Sequence, residues 1–166
     1  MELHESVGIA RTTVAEVARR AGVSRMTVYN HFPDDAALLA ACSAHYGALH
    51  PPPEIAAWSA IADPRERLEP ALAELYGYYA ENEAMLANGL GDRRAVPALD
   101  ALHRESTDVF FAAVVDLLAE GWDGRERRAT LALVTDFWSW RTLARTGLPP
   151  GEAARLARRL VAAAAA

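Results

Sequence analysis

The stretch Thr12–Phe32, TTVAEVARRAGVSRMTVYNHF, decides how the chain is read. Val14, Val17, Ala18 and Ala21 recur at three- and four-residue spacing, which sets them on one face of a first helix. Thr12 or Thr13 caps its start, because a threonine oxygen accepts from an orphan N–H of the first turn. Gly22 ends it, since a helix often closes through a left-handed residue that glycine adopts without penalty. Ser24 then caps a second helix through Arg25, Met26, Thr27, Val28, Tyr29, Asn30, His31 and Phe32, and Pro33 stops it. Helix, glycine turn and capped helix make the helix-turn-helix layout, whose second helix enters the major groove of DNA.

The side chains suit that layout. Val28 and Phe32 lie four apart and face the first helix, leaving Arg25, Met26, Thr27, Tyr29, Asn30 and His31 on the other sides. Arg25 pairs with a phosphate or a guanine edge, and Thr27 reaches a thymine methyl or a base edge. Tyr29 and His31 donate to phosphates, and Asn30 serves either purpose. An ordinary surface helix pair has the same spacing, so the pattern by itself leaves both readings open.

The longer run TTVAEVARRAGVSRMTVYNHFPDDAALLAA resembles the DNA-binding segment of the TetR-like (AcrR-like) helix-turn-helix transcriptional regulators. The turn Ala21-Gly22-Val23-Ser24, the close Tyr29-Asn30-His31-Phe32 and the pair Leu38-Leu39 carry the resemblance. It implies DNA contacts from Thr12, Thr13, Arg25, Thr27, Tyr29 and His31, with Met26 and Asn30 near base edges. The sequence departs from the family pattern twice. Where such regulators carry a basic residue after Pro33, Asp34 and Asp35 stand, good caps that repel a phosphate. The family's full first helix is represented only by Met1–Arg11, with Leu3, Val7 and Ile9. A short or missing first helix leaves Val14, Val17, Phe32 or Leu38 exposed, so an upstream start or a loosened head is expected.

Charge is distributed in keeping with that layout. The 166 residues carry a net charge of −5, yet from Gly8 to Pro33 four arginines face Glu16 alone. That leaves this segment at +3 and the remainder at −8. A basic head on an acidic body is the pattern of a DNA-binding module joined to a separate regulatory domain. Hydrophobic residues make up 52% of the chain, which supports a sizeable core. The single Cys42 excludes an internal disulfide and a four-cysteine zinc site, and reads as a packed thiol. No apolar run approaches the ~18 residues of a membrane span, and no basic-then-apolar leader opens the chain. A cytoplasmic protein without cofactor or metal is expected.

Every later segment reads as helix, giving an all-α fold. Asp34 or Asp35 opens a third helix ending near Gly47 to His50, and Pro51-Pro52-Pro53 divides a DNA-binding domain, 1–50, from a helical ligand-binding and dimerisation domain, 51–166. A short helix is expected over Glu54–Ile61, and one opened by Asp63-Pro64 runs to Asn88-Gly89. Shorter segments follow from Ala95 to Arg104 and from Ser106 or Thr107 to Gly121. A long helix from Asp123-Gly124 to Gly147, about 124–147, precedes a last one at about 151–163 that fades into alanines. Leu131, Val134, Trp138 and Leu143 trace one apolar stripe of the long helix, and Leu133, Phe137, Trp140 and Ala144 another. A helix apolar nearly all round is buried, either in a large core or between a core and a partner. In 166 residues the second is the natural expectation. The resemblance implies the same, a homodimer paired through the last two helices.

The resemblance also implies a pocket for a small, apolar effector. Trp58, Tyr76, Tyr79, Phe110, Phe111, Trp122, Phe137 and Trp140 are its candidate lining, although aromatic residues at helical spacing equally fill a plain core. His103, Asp136 and Arg141 are candidate orienting groups, the latter two also a candidate ion pair. Catalysis is not expected. His45 and His50 miss the i, i+4 step, Glu2, His4 and Glu5 fall in an expected loose terminus, and neither a nucleophile motif nor a phosphate loop occurs. The expected function is a DNA-binding transcriptional regulator, a repressor released by a small molecule. The rival is a dimeric small-molecule-binding or interaction protein with a degenerate head.

Overall fold

The computed structural model describes residues 2–164; Met1, Ala165 and Ala166, the outer ends of the two expected domains, lie outside the described residues. All regular structure among the described residues is helical, in the order α1 (Glu2–Val7), α2 (Val14–Ala21), α3 (Arg25–His31), α4 (Asp35–Leu49), α5 (Ile55–Ser59), α6 (Pro64–Glu81), α7 (Glu83–Asp92), α8 (Pro97–Glu105), α9 (Thr107–Ala119), α10 (Arg125–Thr135), α11 (Phe137–Ala144) and α12 (Pro150–Ala163). None of the described helices is long and apolar enough to cross a membrane. Packing divides the chain into two compact units, Met1–Pro51 with Asn82–Thr107, and Pro52–Glu81 with Asp108–Ala166.

In the first unit α2 packs on α3, α4 on α8 and α1 on α7. The N-terminal residues, expected to be loose, form α1 because α7 holds them. Asn88 Nδ2 donates to the carbonyls of His4 (2.7 Å) and Glu5 (2.9 Å), and Asp92 Oδ2 accepts from Ala10 N at 2.9 Å. Gly8 makes the approach possible: its φ is +90°, and a Cβ there would stand 2.9 Å from Asp92 Oδ2. Leu3 and His4 are buried by this docking, and burial holds the His4 imidazole below its ordinary value. The apolar interior of the unit is modest: Leu3, Ala18, Val28, Leu39 and Leu99 are buried, while Val14, Val17, Phe32 and Leu38 are half-buried. Cys42 is half-buried on α4, where desolvation pushes its thiol up.

The helix expected from Pro64 to Gly89 is interrupted. α6 ends at Glu81, and α7 begins after Asn82, which is buried with φ −115° and ψ 16°. Its side-chain oxygen accepts from the Tyr46 hydroxyl of α4, so the amide is engaged within the first unit. Residues 82–107 therefore pack with the first fifty-one residues, although the triple proline at 51–53 separates them along the chain.

The second unit is built on α6. Leu68, Ala71, Leu72, Leu75, Tyr76 and Tyr79 recur at three- and four-residue steps and have no measurable exposure. Ala153, Ala154, Ala157 and Val161 form the matching stripe of α12, and their small side chains let the two helices pack against each other. Each large apolar side chain so buried contributes roughly 1.5–3 kcal/mol. Two buried polar side chains of this core are paired, while the buried Trp122 Nε1 and Arg127 Nε have no hydrogen-bond partner among the described residues. Trp58 Nε1 donates to Glu74 at 2.6 Å, and the buried Arg67 guanidinium donates to Glu120 (2.6 Å) and to the carbonyls of Ile61 and Leu117.

The long helix expected over 124–147 is also two helices. Asp136 leaves helical geometry (φ −70°, ψ 135°), and its carboxylate caps α11 by accepting from Ser139 N at 2.9 Å. A break orphans the last carbonyls of α10. The Tyr76 hydroxyl donates to Val134 O at 2.7 Å and the Tyr79 hydroxyl to Thr135 O at 2.5 Å, which satisfies both. The break also redistributes the two apolar stripes. Leu131 and Val134 before it, and Phe137 and Trp140 after it, are buried; Leu133 and Trp138 are exposed.

Candidate nucleic-acid interface

The helix pair α2–α3 is assembled from local contacts. Thr13 Oγ1 accepts from Glu16 N at 3.2 Å, so Thr13 rather than Thr12 is the cap of α2. Gly22, at φ 68° and ψ 26°, closes it in the left-handed region, and Val23 N reaches Ala18 O at 3.0 Å. Ser24 Oγ accepts from Thr27 N at 3.0 Å and caps α3. Phe32 is the C-cap of α3 rather than its last residue, in the extended geometry expected before Pro33. The caps and turn hold α3 against α2 through Val28, which is buried, and Phe32, which is half-buried.

The opposite flank of α3 is open. Met26 is 70% exposed, Tyr29 43%, and Arg25, Asn30 and His31 are exposed as well. Thr27 is half-buried, its hydroxyl 2.9 Å from Ser24 Oγ. Five of these six residues are thus exposed and Thr27 is partly so. Thr12 and Thr13 stand apart from them on the approach to α2, where Thr12 Oγ1 donates to Gly8 O at 2.7 Å and Thr13 serves as cap.

Ion pairing reduces the positive charge that the segment offers. Glu16 takes hydrogen bonds from Arg19 and Arg20, and the Arg19 guanidinium above all holds its carboxyl down at about 2. Arg20 also reaches Glu2 at 3.2 Å, and Arg11 donates to Val7 O. Arg25 makes no hydrogen bond or ion pair among the described residues. It is the arginine of this segment left open to an external anion.

The two aspartates after Pro33 have different tasks. Asp34 accepts from Ala37 N at 2.7 Å and caps α4. Asp35 lies in the first turn and accepts from the Tyr29 hydroxyl at 3.2 Å. That bond, ahead of desolvation, raises the phenol above its usual range. Sequence reading missed this pairing; a tyrosine and an acid six apart across a proline carry no periodic signal.

In the second unit, six of the eight candidate pocket aromatics form one cluster, and Trp122 lies apart from them, with Arg65 and Arg127 each 5.8 Å from its ring. The Tyr79 ring lies 6.2 Å from Tyr76, 6.2 Å from Phe111, 5.5 Å from Phe137 and 5.4 Å from Trp140, and Phe110 lies 5.4 Å from Phe111. Tyr76, Tyr79, Phe137 and Trp140 are buried, and Phe110 and Phe111 are half-buried at its edge. Trp58, also buried, is engaged by Glu74. Two clefts in this unit have other linings: one of about 510 Å³ between α6 and α12 includes Arg65, Glu69, Arg155 and Arg158, and a smaller one includes Leu156 and Arg159. Asp136 serves as a cap, Arg141 lies over the Trp138 ring at 5.5 Å, and His103 of the first unit meets Thr107 at 2.9 Å.

Comparison with known proteins falls on the N-terminal segment. Residues 1–42 match the family model of bacterial regulatory proteins, tetR family. HTH-type transcriptional regulators of Mycobacterium tuberculosis and Mycobacterium bovis are 58% identical to the chain over 33 residues, 20% of its length. The matched stretch spans 18% of those relatives' own length. No solved structure matches the chain.

Proposed function

We propose, for a chain whose residues 1–42 match the family model of bacterial regulatory proteins, tetR family, that it is a transcriptional regulator in the cytoplasm. It binds duplex operator DNA as a repressor and releases it on taking up a small, apolar effector. The observation that carries this reading is the outer flank of α3, where the unpaired Arg25 stands beside exposed Met26, Tyr29, Asn30 and His31. α3 lies in the major groove, Arg25 meets phosphate or guanine, Tyr29 and His31 donate to phosphates, and Met26, Thr27 and Asn30 approach base edges. Thr12 and Thr13 support the backbone contact from the start of α2.

Two copies associate through α10, α11 and α12, whose exposed Leu133, Trp138 and Leu160 provide apolar surface for a partner. A two-fold axis then sets the heads on half-sites one helical turn apart. The effector reaches the aromatic cluster at its half-exposed edge, Phe110 and Phe111.

A second reading keeps the dimer and the effector but assigns no DNA to the head. The Tyr29–Asp35 hydrogen bond favours it, since a carboxylate stands where a phosphate is to be received.

Mobility-shift titration of the full chain against duplex DNA flanking its own gene separates the two. The regulator reading expects binding that weakens steeply with salt. It expects Arg25→Ala to weaken binding further and, where the guanidinium neutralises one phosphate, to make the log–log salt dependence shallower by about 0.9. Binding indifferent to both salt and Arg25→Ala, or no binding at low salt, would leave the second reading in place.

A further inference from the structure

We propose that Asp35 sets the DNA affinity of this head by competing with the phosphate for the Tyr29 hydroxyl. The inference rests on the regulator reading above.

Four observations carry it. Tyr29 sits on the accessible flank of α3, and its hydroxyl donates to Asp35 Oδ1. The distance, 3.2 Å, is long for an O–H donor, whose bonds cluster near 2.7–2.8 Å, so the contact is one that a better acceptor can replace. Asp35 is not required as a cap, because Asp34 supplies that bond to Ala37 N. Arg25, which acts on Tyr29 electrostatically, makes no ion pair with Asp35.

The free head thus holds its tyrosine in an internal bond. A phosphate reaching Tyr29 breaks that bond and also approaches the Asp35 carboxylate, a like charge. Both effects weaken binding relative to a head with a neutral residue at position 35. Both bear on phosphate contact rather than base reading, so they act on any DNA sequence alike.

The test is a cycle of four full-length proteins, wild type, Asp35→Ala, Tyr29→Phe and the double variant, titrated with the flanking duplex. Asp35→Ala is expected to tighten binding about tenfold, the low end for a hydrogen bond to a charged group. Tyr29→Phe is expected to weaken binding about twofold in wild type and severalfold more in the Asp35→Ala background, where the hydroxyl is free for the phosphate, so that most of the gain is lost. Equal losses from Tyr29→Phe in both backgrounds, or no tightening in Asp35→Ala, overturn the proposal. If neither wild type nor Asp35→Ala binds the duplex at low salt, the regulator reading itself fails. A titration of the Tyr29 ring by carbon-13 NMR reads the bond in the free protein. Its phenol pKa should fall toward the ordinary tyrosine value in Asp35→Ala, and an unchanged value also overturns the proposal.

Discussion

Two glycines show how much a single residue contributes here. Gly22 has φ +68° and nothing within 4 Å of where a Cβ would stand. A side chain there meets no neighbour, so Gly22→Ala isolates backbone strain and should destabilise the protein by about 1 kcal/mol. Gly47 lies inside α4, with equally open space and no left-handed backbone. Gly47→Ala should stabilise by about 0.5–1 kcal/mol, because glycine in a helix interior costs conformational entropy on folding. Urea unfolding of both variants checks the pair, and equal signs would contradict the backbone argument. Much of the α2–α3 site lies at this scale. Thr13, Gly22, Ser24 and Pro33 act on neighbours within four residues, so their roles were legible from type and order. The Tyr29–Asp35 bond was not, because it depends on how α4 leaves the proline turn.

At the scale of elements, the break in the helix expected over 124–147 governs the second unit. No proline or glycine interrupts residues 125–146, so periodicity alone runs straight through. Thr135 and Asp136 were the available signals, side chains that bond nearby backbone and compete with a helix interior. The carbonyls freed at the break are satisfied by distant groups. Tyr79 answers Thr135 O from 56 residues away, and Tyr76 answers Val134 O from 58. Tyr79→Phe leaves a buried carbonyl without its donor and should cost about 1–3 kcal/mol, read as a lowered urea midpoint with unchanged slope. A loss below about 0.5 kcal/mol would mean that the hydroxyl is not what holds the break. The aromatic cluster therefore has a structural task whether or not it also meets an effector.

On the scale of the whole molecule, the exposed apolar residues bear on assembly. Leu133 is 60% exposed and Trp138 42%, an uncommon outlay of large apolar surface for helices that also bury Val134, Phe137 and Trp140. If these residues meet a second copy, Leu133→Glu places a charge in that contact. Sedimentation should then show a dimeric wild type and a largely monomeric variant at the same concentration. A monomeric wild type across the micromolar range would count against the dimer. Domain organisation was only partly legible at this scale. The first compact unit takes in residues 82–107, with Asn88 bonded to its first helix and Asp92 to the turn that follows it.

The order of residues by itself determined the all-helical class, the capped pair around Gly22 and the open flank of α3. Each follows from contacts a helix makes within one turn, or from the period of its apolar face. Tertiary structure alone decided where two long helices break, which segments share a compact unit and which acceptor holds Tyr29. Those outcomes depend on hydrogen-bonding groups brought together from separate elements, and no local pattern reports whether a freed backbone group will find a distant partner.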